Sequence, residues 1–577
     1  MSYTATSGPL TGSEEYRSAV AQAGVPGSGG VAHRTPVDLP TKRDRATPLA
    51  LLCAAAALVV WLLVAPRTPD LAAAAYRLTL FKHLGLAVYD EHWYAGHELP
   101  GYSVLFPPLA WALGLRVVAA LSVLASVACF QALAVAAYGR SARWAAGLFA
   151  LAAVGDVWIG RLAFALGVSF ALGAVLARAR GRGWIAVLLA AASAAASPVA
   201  GVLLALGALT DALWQRSSRP LLVLAAPAVL VVLALALLFG EGGYEPFPTV
   251  SFLATVGVVA AFVLALPSGH GRLRVGAALY LLACVVFLFA HTPMGSNIER
   301  YGVLLVGPLL VCALVAARGE GARRPVRSGR GAPWARAQAP AALALCAWAV
   351  WAGWGPLRET LAVAGSQSTG AAYYAPVERF LAAHAREPVR LEVPLTRAHW
   401  ETAELAPRVS LARGWEKQLD TRYDAALLSP GLSARSYERW LRGQAVGYVA
   451  LPDAEPDPSS AREAALIRGG LPYLREVFAS RHWRIYAVRA PTPLASGPGR
   501  LTSLGHESFA LAARSPGSFL VRVRFTRYWT LTRGHGCVGR GAGGWTRVLA
   551  RSPGALVVRA RFSLGRALGL AGSYRRG

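Results

Sequence analysis

The chain has 577 residues, of which 55% are hydrophobic and only 15% charged, and its mean hydropathy is +0.43. Soluble domains carry about 25% charged residues, so a soluble globular protein is excluded and a polytopic membrane protein is expected. The formal charge of +28 does not mark a nucleic-acid binder: Lys42, Lys82 and Lys417 are the only lysines, and many of the arginines fall in short loops between apolar runs, where they set orientation.

Residues 1–46, rich in Gly, Ser, Thr and Pro, read as a disordered cytoplasmic tail. The first span is predicted over 47–65, after Lys42, Arg43 and Arg45. Ten more follow at 116–138, 144–156, 162–177, 184–196, 198–214, 220–239, 251–267, 275–291, 302–317 and 338–354, about eleven helices in all between 47 and 355. The segments 144–156 and 184–196 are short for full crossings. Arginine recurs on alternate loops: Arg140 and Arg143, Arg178 to Arg182, Arg216 and Arg219, Arg272 and Arg274, and the cluster Arg318, Arg323, Arg324, Arg327, Arg330 and Arg336. That asymmetry predicts an inner-membrane protein with a cytoplasmic N-terminus and an external C-terminal domain. The Ala, Gly and Arg bias is that of a high-GC genome such as an actinobacterium's.

The expected fold is mainly α, a transmembrane helical bundle followed by two outer modules. Residues 356–490 alternate helical stretches (Ala375 to His384, Ser436 to Arg442, Ser460 to Arg468) with strand-like ones (Val389 to Val393, Val446 to Leu451, Trp483 to Val488), which predicts an α/β module. Residues 491–500 read as a linker. Period-two patterning within 501–577, at Ser518 to Phe525, Tyr528 to Leu531, Thr546 to Leu549 and Ala555 to Phe562, predicts a small β-sandwich. Five of the six cysteines lie in apolar runs and only Cys537 falls in the outer part, so no disulfide is expected there.

The stretch 67–103 after the first span concentrates polar chemistry: Asp70, Arg77, Lys82, Asp90, His92, His97, Glu98 and Tyr102. Membrane-interface anchoring accounts for Trp93, Tyr94 and Tyr102, but not for the carboxylates and histidines. Taken alone, Asp70 also fits an N-cap of a helix starting at Leu71. The order Pro69-Asp70, Tyr76-Arg77, Gly85, an acid before Trp93, a tyrosine, then Pro107-Pro108 resembles the first outer loop of the C-type (GT-C) membrane glycosyltransferases. The resemblance implies transfer of a sugar from a polyprenyl-phosphate-linked donor to a glycan or lipid acceptor, with Asp70 as general base by motif position. Leu71 stands where many members carry a second acid, which leaves a divalent metal an open question.

Such chemistry needs cations against a leaving phosphate, a task suited to arginine's forked donors. Arg77, Lys82, Arg161 and Arg300 are the candidates, with Asn297 beside Arg300. Trp400 and Trp415, each followed by a glutamate, could stack an acceptor sugar. No Walker loop, HExxH, GxSxG or CxxC occurs. Two competing readings are a transporter or lipid-carrier flippase, which would place charge at mid-membrane, and a non-catalytic scaffold binding polysaccharide, which would have no need of Asp70. Convergence of Asp70, Arg161 and Arg300 on one site separates the enzyme from the scaffold.

Overall fold

The structure is a computed structural model and describes residues 49–323 and 338–569; the predicted tail 1–46 and Arg324, Arg327, Arg330 and Arg336 lie outside the described residues. Two prolines shape its start. Proline removes a helical N–H and drives the preceding residue out of helical space. Helix α1 (Leu49–Val64) therefore stops before Pro66, Ala65 takes φ 46°, and α2 (Pro69–Leu84) restarts with proline in its first turn. The two helices are bent by 81°, so α2 lies across the end of the bundle instead of prolonging α1. After a two-strand ribbon, β1 (Tyr89–Asp90) and β2 (His97–Glu98), and a short helix α3 (Phe106–Leu113), the apolar runs fold as a bundle. Its helices are α4 (Leu115–Tyr138), α5 (Arg143–Ile159), α6 (Leu162–Ala179), α7 (Gly183–Ala196), α8 (Pro198–Gln215), α9 (Leu221–Leu238), α10 (Thr249–Ala265), α11 (Gly271–Phe289), α12 (Glu299–Arg323) and α13 (Gln338–Val363).

Eight of the described helices are long and apolar enough to cross a membrane, which makes this a multi-pass membrane protein. All eleven predicted spans are helices, but α1, α7 and α10, at 16, 14 and 17 residues, fall short of that length. The segment 144–156 does not: with the turn before it, the helix runs Arg140–Ile159, 20 residues. Leu63, Val250 and Leu264 keep 80% or more of their surface exposed, a cost in water that hydrocarbon removes. Short connections make neighbouring helices antiparallel and sort the loops onto two faces. One meets the C-terminal domain and is called here the domain face; the other is the far face.

The last span outlasts its apolar run: α13 continues past Gly355 to Val363. Trp158 on α5 donates its indole N–H to Thr360 Oγ1 at 2.7 Å. Beyond it, a five-stranded mixed sheet has the order β4 (Ser410–Leu411), β3 (Arg390–Glu392), β5 (Val446–Pro452), β7 (Trp483–Val488), β6 (Leu474–Ala479). β3 pairs in parallel with β4 and β5, and β7 antiparallel with β5 and β6. Helices α14 (Ala371–His384), α18 (Ala434–Gly443) and α19 (Ala461–Arg468) belong to this unit, as do the short α15 (Glu401–Glu404), α16 (Lys417–Tyr423) and α17 (Ala425–Leu428). The final unit stacks two antiparallel four-stranded sheets, whose inner faces bury Phe509, Leu511, Phe519, Val521, Val548 and Val558. The predicted linker 491–500 is not one: strand β8 (Ala495–Ser496) pairs with β10 (Gly517–Arg524), and β9 (Gly499–Gly505) starts inside it. Cys537 is free.

Candidate functional site

Thr68, not Asp70, occupies the N-cap position of α2, and its side chain makes no capping bond. Asp70 sits inside the first turn instead, which rules out the N-cap reading. Its carboxylate is about one-third exposed (34%), and Arg161 Nε lies 3.6 Å from its Oδ2. That approach depends on Gly160, which ends α5 at φ 101°; a Cβ there would lie 2.4 Å from the backbone N of Leu71. Any side chain would push the α5–α6 turn away from α2 and carry Arg161 with it. Thr68 Oγ1 donates to the Ile159 carbonyl at 2.7 Å and fixes the same contact from the other side.

Arg161 also reaches the buried Asp156 at 3.4 Å. Burial opposes its charge, but Asp156 and Asp70 outweigh that cost and hold its pKa above the ordinary arginine value. Arg300, in the first turn of α12, is held by the Asn297 side chain, lies over the Phe164 ring at 5.0 Å, and stands within electrostatic reach of Arg161, Asp70 and Asp156. Arg77, about two turns further along α2 on the same face, pairs with Glu416 of the α/β unit and lies 3.8 Å over the Tyr102 ring. The Nε–H groups of Arg77, Arg161 and Arg300 are buried without a hydrogen-bond acceptor among the described residues. Buried donors are nearly always met. Two of these donors, on Arg161 and Arg300, belong to side chains that stand around one part-exposed carboxylate, a place where an oxyanion is favourable.

The C-terminal domain completes the cluster. Trp415 donates its indole N–H to Asp70 Oδ1 at 3.3 Å and stacks on His399 at 3.5 Å between ring centroids; His399 Nε2 lies 3.3 Å from Asp457. Gly414 beside it admits no side chain, because a Cβ would sit 2.7 Å from Trp93 and Tyr94. Glu245, its pKa raised by burial, accepts from Ser296 at 3.1 Å and feels Lys417, Arg300 and Asp70. Glu245 and Lys417 carry no local signal that would single them out, and Glu416 is marked only as the acid after Trp415. They come from parts of the chain roughly 175 to 350 residues from Asp70 and meet it only through the fold.

Of the predicted site residues, Asp70, Arg77, Tyr102, Arg161, Asn297, Arg300 and Trp415 converge here. The others do not. Lys82 is exposed at the other end of α2, about 18 Å along the helix from Asp70. Trp400 is buried, donates to the Arg67 carbonyl at 2.9 Å and carries the Arg67 guanidinium on its ring at 3.5 Å; it is no sugar platform. Trp93 and Tyr94 are fully buried and do not anchor at a membrane interface. Asp90, His92 and His97 are buried too, and Glu98 accepts from Thr526 at 2.7 Å. Asp90, His92 and Glu98 fasten the loop to the domain, His97 packs on Trp93 and Tyr94 within the loop, and the four do not line the Asp70 site.

Asp90 is their hub. It accepts from Tyr76 at 2.7 Å, from the His92 backbone N–H at 3.1 Å and from His506 Nδ1 at 2.8 Å. Burial would raise its pKa, yet the His506 bond and charge hold it at about 2; burial would lower His506, yet Asp90 keeps it above the ordinary histidine value. A histidine raised in the folded state contributes its stability below the unfolded value and loses it as pH rises through the folded one. Asp90, being depressed, loses its share only as pH falls from 3.8 toward about 2. The difference in melting temperature between the wild type and His506→Asn should therefore shrink as pH rises from about 6.5. Taking a difference removes the background titration of Glu91, which burial pushes up to about 7, and of His92, which burial pushes down to about 4. A gap that stays constant across that range argues against the pair.

The donor set does not fit a metal ion: Leu71 follows Asp70, and among the described residues no three His, Cys, Asp or Glu side chains are grouped to hold one. No protein-family model matches the chain, and no curated protein matches it.

Proposed function

We propose that this chain is a membrane glycosyltransferase of the C type, transferring a sugar from a polyprenyl-phosphate-linked donor to an envelope glycan or lipid acceptor at the outer face of the inner membrane. The observation that carries the reading is the meeting of one part-exposed carboxylate, Asp70, with Arg161 and Arg300 at the end of an apolar bundle. A scaffold has no use for a carboxylate set among orphaned arginine donors. In the proposed step Asp70 takes the proton of the acceptor hydroxyl as that oxygen bonds to the anomeric carbon. The bond from that carbon to the phosphate oxygen breaks, and its electron pair leaves with the polyprenyl phosphate. One base and a departing phosphate give direct displacement with inversion. Arg161 and Arg300 offer their unmet Nε–H groups to the phosphate oxygens, where charge builds up. Trp415 fixes the carboxylate at Oδ1 by its indole N–H, and Oδ2, which faces Arg161 Nε at 3.6 Å, is the oxygen that takes the acceptor's proton.

Deletion of the protein should deplete one envelope glycan and accumulate its polyprenyl-phosphate sugar, read by mass spectrometry of both pools. Unchanged pools sink the reading. The orientation is tested separately: a reporter fused after Gly577 should be active only outside the cytoplasm, and a cytoplasmic signal reverses the topology.

A further inference from the structure

A cavity of about 370 Å³ runs inside the bundle, within the range of small-molecule sites. Its wall is almost entirely apolar. One end lies at Phe164, which is buried and sits beneath Arg300 near the domain face. The other reaches Arg178, Asp211 and Arg272 at the far-face ends of α6, α8 and α11. Phe164 and Arg178 are 14 residues apart on α6, about 21 Å along the axis. The space is thus long, narrow and longer than one leaflet's ~15 Å of hydrocarbon. A single hydrocarbon chain has that shape; a sugar does not, and the wall offers a sugar nothing to bond.

The far-face end has the chemistry of a headgroup site. Asp211 is buried and binds Arg178 at 2.8 Å and Arg272 at 2.6 Å, with Gln215 at 2.6 Å. Two cations against one anion leave a net positive charge, and Asp211 engages only part of the five N–H donors each guanidinium carries. Arg272 is 54% exposed, so this end is reachable where Phe164 closes the other. His270 stacks on Tyr138, a residue of the cavity wall, and its Nδ1 is buried without a partner among the described residues. Exposed Arg180, Arg182, Arg216 and Arg219 lie in the far-face loops that follow α6 and α8.

We propose that this cavity holds one acyl chain of an anionic phospholipid whose phosphate sits between Arg178 and Arg272. The site is distinct from the Asp70 cluster and does not depend on the catalytic reading. It makes a membrane lipid an integral part of the bundle, filling a space that α4, α6, α8, α11 and α12 leave between them.

The test is quantitative lipid analysis of the full-length protein purified in detergent. The wild type should retain about one phosphatidylglycerol-type lipid per chain. Arg178→Gln with Arg272→Gln should lower retention roughly thirtyfold, about fivefold for each of the two cations removed from beside an anionic headgroup. Gly207→Leu should lower it as much, since a side chain there enters the cavity beside Tyr301. Melting in nanodiscs supplies a second readout: added phosphatidylglycerol should stabilise the wild type over phosphatidylcholine alone, and neither variant. Loss in the arginine variant with full retention in Gly207→Leu marks a lipid on the bundle's exterior and overturns the proposal. So does recovery of a polyprenyl phosphate in place of a phospholipid, or a lipid-independent melting temperature.

Discussion

Asp70→Asn should lower product formation by roughly 10²–10⁴, the contribution of a positioned general base, while the protein accumulates and inserts as the wild type does. Asparagine keeps the shape and can still accept the Trp415 indole N–H, but it cannot take a proton and offers Arg161 no charge. The structural loss is small. Asp70 is 34% and Arg161 28% exposed, and ion pairs so open to solvent contribute about 0–1 kcal/mol. Asp156 remains to hold Arg161. Activity and folding are thus separable in one variant, read by complementing a deletion strain and comparing envelope glycans, polyprenyl lipids and protein amount. Wild-type glycan at wild-type protein amount removes Asp70 as the base and with it the step derived from it.

The bundle was readable from sequence because a membrane helix is written in composition: 20 or so apolar residues between arginines leave few alternatives. Asp70, Arg161 and Arg300 were readable for a related reason, since ionisable groups at the end of an apolar run are costly unless partnered or functional. What residue type could not reveal is which of two polar groups another domain covers. Asp90, His92 and His97 look like Asp70 in the sequence, yet the β-sandwich brings His506 onto the loop and seals them in. The linker reading failed for a local reason. Gly499–Gly505 is a strand at the edge of its sheet, and with a glycine at each end and Thr502 as its one β-branched residue it lacks the Val and Ile that mark an inner strand. The end of α13 failed for another: Thr360 bonds back to the Pro356 carbonyl and to Trp158, so tertiary contact carries the helix past its apolar run.

Arg390→Met should be the most destabilising single change at the junction of the three units. Arg390 and Glu91 are both fully buried and pair at 2.5 Å. Arg390 also bonds Ser410 Oγ at 3.0 Å, the Gln444 carbonyl at 2.6 Å and the Arg522 carbonyl at 2.8 Å. One side chain therefore ties the loop after α2 to the parallel strands and to the sandwich. Removing it leaves Glu91 buried with its cation gone, a loss of about 3–5 kcal/mol. The pairing is already strained in charge: Glu91 Oε2 has no partner among the described residues, and burial holds its pKa near 7 despite the arginine. Glu91→Gln combined with Arg390→Met should consequently melt higher than Arg390→Met alone, because no charge is then stranded. The experiment is thermal melting of the three purified proteins at one pH above 7. If the double variant melts no higher than Arg390→Met, the stranded carboxylate is not the cause, and the carbonyl contacts to Gln444 and Arg522 carry the junction instead. If Arg390→Met melts like the wild type, α2 with its Asp70 is held to Trp415 by other means, and the buried pair has no part in positioning the site.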